Sequence, residues 1–377
     1  MSVMRFSDLP AANQLNDNDI IAVTQNGTSK QATIGQIDVG GGGGSSPHSA
    51  NELINGDMRL SQRGAWFDDL TQITSTDATY LVDRWCHLSD GDNAWLVQSD
   101  NLDPPPNGNR SYAMMNLSAD VQAGVYQAID FERALRLRGQ TVSVSLLART
   151  GSGFNDYIDT MRAAILTRNG VKNSFARDII TTWGASGVEP TWADDWIRAG
   201  EILEIDLTTA RETWLEFNLD GVALPSDITN LAVVIWIDDA TIAQYDFCQL
   251  AKIKLEVAAT ATPFYPRPIG VQASLANQYA LAVNKSVIGW ANSSSTVRAA
   301  IDLPSHLQKT PTVTAPVAIT ASQYNSTYSQ SAPDITLIRH GHQSVVIELG
   351  GFSGLTLDGP VLLPDTDDPW VIFEAEL

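Results

Sequence analysis

Residues whose types and spacing suit chemistry are few in this chain. Of its five histidines, His48, His87, His306, His340 and His342, only His340-Gly341-His342 has a ligand spacing. Alternate residues of a strand share a face, so these two imidazoles would chelate one metal. No third ligand stands near them in sequence. A three-fold axis would gather six imidazoles, a set suited to an octahedral ion. The plainer alternative is two polar side chains on the wet face of an edge strand. Acidic turns at Ser89-Asp90-Gly91-Asp92-Asn93 and Asp365-Thr366-Asp367-Asp368 resemble fragments of calcium loops, without the twelve-residue loop or its closing Glu. They read as solvated turns or as a structural calcium site. The segment GVEPTWADDWIRAG sets Trp192 and Trp196 around Asp194 and Asp195. Aromatic faces beside carboxylates are how proteins grip sugars, the ring stacking on C–H bonds while the acids take hydroxyls. The competing reading is that both tryptophans are core plugs.

Other chemistries find less support. Nothing among the 43 acidic residues singles out a pair for glycoside hydrolysis. A Gly-x-Ser-x-Gly elbow is absent. Gly40–Ser46 lacks the preceding strand, following helix and spaced Lys of a phosphate loop, and reads as a flexible linker.

Composition narrows the field further. The 377 residues are 44% hydrophobic and only 18% charged, with a net charge of −20. That composition is globular, and a field of that sign repels nucleic-acid phosphates and anionic membranes. The apolar run Leu231–Ile237 is far short of a membrane span, so neither nucleic-acid binding nor membrane insertion is expected. Met1–Leu9 has no signal-peptide core, so the reading expects synthesis and folding in a cytoplasm. Cys86 and Cys248 sit among apolar and aromatic neighbours and read as buried small hydrophobes.

These residues must be positioned by elements that are mainly β. Residues 1–39 give an entry turn at Leu9-Pro10, a strand Ile20–Gln25 containing Ile20, Ile21 and Val23, a turn at Asn26-Gly27, and a second strand near Gln31–Ile34. A unit that small buries little core and suits attachment to a partner. After the linker at 40–49, residues 50–268 carry alternating runs at Thr141–Arg149, Glu212–Leu219 and Ala251–Ala258, and a strand covered on both faces at Leu231–Ile237. In Ala251–Ala258 the alternation sends Ile253, Leu255 and Val257 inward and Lys252, Lys254 and Glu256 outward. Gly, Pro and Asx turns separate the runs, as in an antiparallel sandwich or jelly roll. A helical interruption is expected near Asn155–Leu166. A helix over 269–284 places Val271, Leu275, Tyr279 and Ala282 on one stripe. Residues 285–377 form a second β-sandwich, ending in the strand Trp370–Leu377.

The string NELINGDMRLSQRG (Asn51–Gly64), then YLVDRW (Tyr80–Trp85), then IKLEVAATATPFYPRP (Ile253–Pro268) resembles, in that order, a pattern of bacteriophage virion proteins. Ala258 stands where that pattern usually has Gly, and the helix keeps only one tyrosine, Tyr279, of the usual pair. The segment from Leu303 to the last residues is similar to the family's terminal sandwich. FSDLPAANQLNDNDIIAVTQNGTSKQATIGQI resembles the head-group that fastens phage fibres to the particle. The resemblance implies a virion-located fibre or spike-like protein, usually trimeric, with a galactose-binding-like jelly roll. It implies attachment to other virion proteins through residues 1–39, by way of Leu9, Pro10, Ile20, Ile21 and Val23, and recognition of a host-surface glycan without catalysis. A purely structural connector, collar or head-decorating fibre is the alternative, and a polysaccharide depolymerase or esterase the second. Asn55, Gly56, Asp57, Arg84 and Trp85 are then the structural entry to the jelly roll, with Arg84 able to pair with a carboxylate.

Overall fold

The computed structural model describes residues 20–25, 28–33, 51–62, 73–74, 77–91, 94–100, 104–108, 110–151, 158–239, 241–314, 319–323, 326–330, 334–341, 344–363 and 371–376. The chain divides into two compact units, Met1–Ser49 and Ala50–Leu377. In the first, β1 (Ile20–Gln25) and β2 (Thr28–Thr33) form an antiparallel hairpin in which Ile20, Ile21 and Val23 face Thr33, Ala32 and Lys30. Leu9, Pro10, the Asn26-Gly27 turn and the linker lie outside the described residues.

The second unit is built from strands throughout. Its first part runs β3 (Ile73–Thr74), β4 (Thr79–Val82), β5 (Trp85–Ser89), β6 (Trp95–Asp100), β7 (Ser111–Asn116), β8 (Ala123–Ile129), α1 (Phe131–Leu137), β9 (Thr141–Thr150), β10 (Thr160–Arg168), β11 (Ile180–Thr182), β12 (Thr191–Trp192), β13 (Ile197–Asp206), β14 (Leu215–Ala223), β15 (Asn230–Ile237) and β16 (Phe247–Val257). Two six-stranded antiparallel sheets result, ordered β13-β10-β15-β8-β5-β4 and β14-β9-β16-β7-β6-β3. Their inner faces interleave Trp85, Val125, Ile165, Val233 and Ile235 from the first sheet with Tyr112, Val144, Leu146, Leu250 and Leu255 from the second. This is the antiparallel sandwich that the alternating runs require.

The first sheet is also covered on its outer face. Ala232, Val234 and Trp236 alternate with the inward residues of β15 and meet Phe175, Ile179, Ile180, Trp192 and Trp196 from the arm that carries β11 and β12. All eight residues of β15 are buried, which explains why Leu231–Ile237 is apolar without interruption.

After α2 (Ile269–Ala276) come β17 (Ala280–Val283), β18 (Val287–Ala291), β19 (Val297–Asp302), β20 (Thr312–Thr314), β21 (Ile319–Gln323), β22 (Ser326–Gln330), β23 (Ile335–His340), β24 (Ser344–Leu349), β25 (Pro360–Leu363) and β26 (Val371–Glu374). A seven-stranded sheet, β22-β21-β25-β18-β19-β24-β23, packs on a three-stranded one, β17-β26-β20, over a core that includes Val297, Ile347, Val361 and Phe373. Among the described residues no helix is long and apolar enough to cross a membrane.

Three expectations are corrected. The stretch expected to be helical up to Leu166 is strand from Thr160, because β10 pairs on both sides, with β13 and β15; pairing on two edges outweighs local propensity. The helix expected over 269–284 stops at Ala276, because Ala280–Val283 pair with β26 from Ala280↔Glu374 to Val283↔Val371. Its buried residues are Gln272 and Ala276, while Val271 is exposed. The outward face of β16 is not wet. Lys254 and Glu256 are 2% and 1% exposed and paired at 3.0 Å, and it is Val257 that is exposed. The segment after β16 folds back over them, as Thr262 accepts from Lys254 Nζ at 2.6 Å and donates its N–H to Glu256 at 2.6 Å.

Candidate functional site

That fold-back builds a cleft. Among the described residues no two-stranded arm like β11–β12 lies over β14, β9 and β16. Ser145, Arg149, Gln249 and Ala251 on that outward face are nevertheless buried, and beside them lies a cavity of about 700 Å³. Register defines its floor: Glu216 on β14 lies opposite Leu147 on β9, and Leu147 opposite Ala251 on β16. Leu215, Phe217 and Leu219 turn toward the core, so Glu216 turns outward and, with Trp214 two residues before it, lines the cleft. A register shift between Ala251 and Lys254 puts Lys252 at φ +50° and brings its side chain into the cleft lining. One wall is Pro106 and Asn107, to which Lys252 is tied through the Pro106 carbonyl. The other is Pro263–Pro266, bringing Phe264 and Tyr265, the latter 54% exposed. The Arg149 guanidinium sits 5.5 Å from the Trp214 ring centre and donates to Gln249, whose amide donates to Ser111 at 3.1 Å. The arrangement is a trough of aromatic rings interrupted by Ser145, Asn107, Glu216 and Lys252, fitted to stack flat apolar surfaces and hydrogen-bond hydroxyls.

Some residues of the phage-like pattern clasp β16 and the segment that follows it, while Arg84 ties the first sheet to the C-terminal strands. Asn51 donates its amide to Ile253 O at 2.8 Å and accepts from Leu255 N at 3.0 Å, clasping β16. Gly56 lies so close to β16 that a Cβ would stand 2.0 Å from Ile253 O, so only glycine fits. Asn55, at φ +56°, bonds Leu60 and Asp83 through its side chain and accepts from the Trp85 indole at 2.9 Å. Asp57 pairs with Arg59, which in turn donates to Arg267 O at 2.7 Å, while Arg267 reaches Leu53 O at 2.7 Å. Arg84 is buried and ion-paired with Glu376, also buried, and stacks 3.5 Å from the centre of the Tyr279 ring. Glu376 raises the Arg84 pKa above its ordinary value despite burial. The Tyr279 hydroxyl donates to Asp130, which caps α1.

The other sequence-derived residues lie apart from the cleft lining. Trp196 is 4% exposed, edge-on to Phe175 with ring centres 5.2 Å apart, so it is a plug of the covered face and offers no stacking surface. Trp192 is half-buried, edge-on to Trp236 at 5.7 Å, and its N–H donates to Glu189 at 2.8 Å. Asp194 and Asp195 are exposed at φ +49° and +60°, and Asp194 accepts from the Ala176 N–H. These two aspartates make the turn that returns the arm to β13. His340 ends β23 with the His306 ring 6.4 Å away, and His342 lies outside the described residues. Asp90 is exposed, whereas Asp92 and the Asp365–Asp368 turn are also outside them. Among the described residues no group of three or more His, Cys, Asp or Glu is placed to hold a metal. Cys86 and Cys248 are buried free thiols, their pKa values pushed up by burial.

Sequence reading missed Trp214, Phe264, Tyr265 and Lys252 as site residues. Trp214-x-Glu216 on the outward phase of a strand was the available signal for the first. The others depend on the bulge and the fold-back, which no local pattern announces.

No protein-family profile and no curated protein matches the chain. Solved structures give remote likenesses. One is the CBM22-1–GH10 part of Clostridium thermocellum endo-1,4-β-D-xylanase 10B, complexed with xylohexaose (14% identity, 49% of this chain, 28% of that one, TM-score 0.30). Another is TmCBM61 in complex with β-1,4-galactotriose (10% identity, 56% of this chain, 100% of that one, TM-score 0.31). A third is the enzymatically active domain of bacteriophage CBA120 tailspike protein 4 (12% identity, 56% of this chain, 22% of that one, TM-score 0.31). This chain spans about a quarter of the xylanase and tailspike chains. Likenesses this remote carry no argument about its ligand.

Proposed function

We propose that this chain is a non-catalytic glycan-binding appendage protein of phage type, taking a short stretch of host-surface polysaccharide in the cleft over β14, β9 and β16. The observation that carries the reading is the cleft itself: three aromatic side chains, Trp214, Phe264 and Tyr265, alternate with hydroxyl, amide and charged groups in a space of about 700 Å³. Volumes of this order suit an oligosaccharide, and aromatic stacking with a few convergent polar groups is the usual chemistry of its recognition. The order of the phage-like segments supports placing the chain on a virion, with residues 1–39 as its attachment to other virion proteins and a trimer as the working form.

A purely structural role is favoured by one observation. The outer face of the seven-stranded sheet exposes Ile288 (71%), Trp290 (45%) and Leu362 (43%), with Ile288 directly opposite Leu362. Apolar residues grouped on a sheet face suit assembly contacts.

Screening the full chain against immobilised bacterial polysaccharides separates the readings. Retention on at least one polymer without release of sugar is the expected result. Release of reducing ends would establish a depolymerase, and retention on none would leave the structural role. Solution mass with and without residues 1–46 tests the rest: a trimer surviving truncation is expected, and a monomer would sink the fibre arrangement.

A further inference from the structure

Among the described residues lining the cleft, Glu216 and Lys252 are the only charged side chains. They are brought together by register and bulge, Glu216 across Leu147 from Ala251 and Lys252 next along β16. Desolvation lowers the Lys252 pKa, and the Glu216 charge opposes that shift, so the carboxylate lies within electrostatic reach of the ammonium. On the same outward face Lys254 is paired with Glu256, while Arg149 is buried against the Trp214 ring with its guanidinium on the neutral Gln249 amide.

We infer that Glu216 sets the charge selectivity of the cleft, cancelling Lys252 so that the site takes uncharged oligosaccharides and turns acidic ones away. The inference rests on the glycan reading above. A uronate or sialate carboxylate approaching Lys252 meets Glu216 at short range, where salt screens little. At longer range it meets a protein of net charge −20, which slows the approach of any polyanion at low salt. A neutral chain encounters neither. Its hydroxyls can donate to Glu216 and accept from Lys252, using both charges as hydrogen-bonding groups.

The test is titration of the full-length protein with neutral hexasaccharides (gluco-, galacto-, manno- and xylo-) and with acidic ones (galacturonate and sialate hexamers), for wild type, Glu216→Gln and Trp214→Ala. Glu216 is exposed, so the Gln variant keeps the fold, which a thermal melt checks. At least one neutral hexamer is expected to bind, with the acidic hexamers weaker and the neutral affinity insensitive to salt. Glu216→Gln should narrow the neutral-to-acidic ratio about fivefold, the effect of one partly solvated charge. Tighter binding of an acidic hexamer, lost in Trp214→Ala, would overturn the charge assignment while keeping the glycan site. A ratio unmoved by Glu216→Gln would overturn it as well. Failure of every hexamer, neutral and acidic, would take down the glycan reading and this inference with it.

Discussion

The two outer faces of the central sandwich both carry tryptophan, several on the first and Trp214 beside the second, in different surroundings. Over the first sheet, Trp192 and Trp196 belong to an arm that lies on Trp236 and Phe175, and their rings fill space between layers. Beside the second sheet, half-buried Trp214 has Arg149 against its ring, no two-stranded arm among the described residues covers it, and it forms the side of a cleft with Tyr265. The sequences around them, PTWADDWI and RETWLEF, are alike in pairing an indole with acids. What separates a plug from a platform is whether a further segment crosses the sheet, and that is decided by tertiary structure.

The covered face is also the one stitched to the C-terminal strands. Replacing Glu376 by Ala leaves the Arg84 guanidinium charged and buried beside Tyr279. The expected loss is about 3–5 kcal/mol, the usual cost of removing one partner of a buried pair. Urea unfolding measures it; a loss under about 1 kcal/mol would mean that the pair does not hold the covered face.

Trp196→Ala should cost about 3–4 kcal/mol by emptying the space against Phe175. At temperatures where the variant stays folded, its affinity for any bound glycan should equal that of wild type. A selective loss of binding with unchanged stability would reverse the assignment of the two faces.

Between the faces, His87 is fully buried with Nδ1 at 3.3 Å from the Tyr112 hydroxyl. Burial lowers its pKa from 6.5 to about 3. Because the unfolded chain takes the proton first, stability is full above pH 6.5 and falls as the pH drops toward 3. The slope from this group is at most about 1.4 kcal/mol per pH unit. Denaturation curves from pH 7 to 4 should flatten in His87→Gln; an unchanged profile would show that other groups govern acid sensitivity.

These contrasts mark what was legible in the sequence. The sandwich could be read because Thr141–Arg149 alternates and Leu231–Ile237 does not. Val142, Val144, Leu146 and Ala148 enter the sandwich core as the alternation requires, though Ser143, Ser145 and Arg149 between them are buried as well. The architectural role of Asn55, Gly56 and Trp85 was implied by the resemblance alone; the structure puts Asn55 at φ +56°, Gly56 hard against Ile253 O and the Trp85 indole on Asn55 O. The helix over 269–284 was over-read, since nothing local reveals that Ala280–Val283 have a strand partner ninety residues away. Lys254 and Glu256 looked solvated for a similar reason: the segment covering them follows a turn and is fixed by Thr262. The cleft inherits both difficulties, as Tyr265 reaches it only through that fold-back.

The most direct test of the central claim compares Trp214→Ala with Trp192→Ala against a glycan that wild type binds, by isothermal titration. The account predicts that Trp214→Ala weakens binding about tenfold or more, as lost stacking of about 1.5 kcal/mol requires, with Trp192→Ala leaving it unchanged. Loss of binding in Trp192→Ala with Trp214→Ala intact would contradict it and move the site to the arm that carries Asp194 and Asp195.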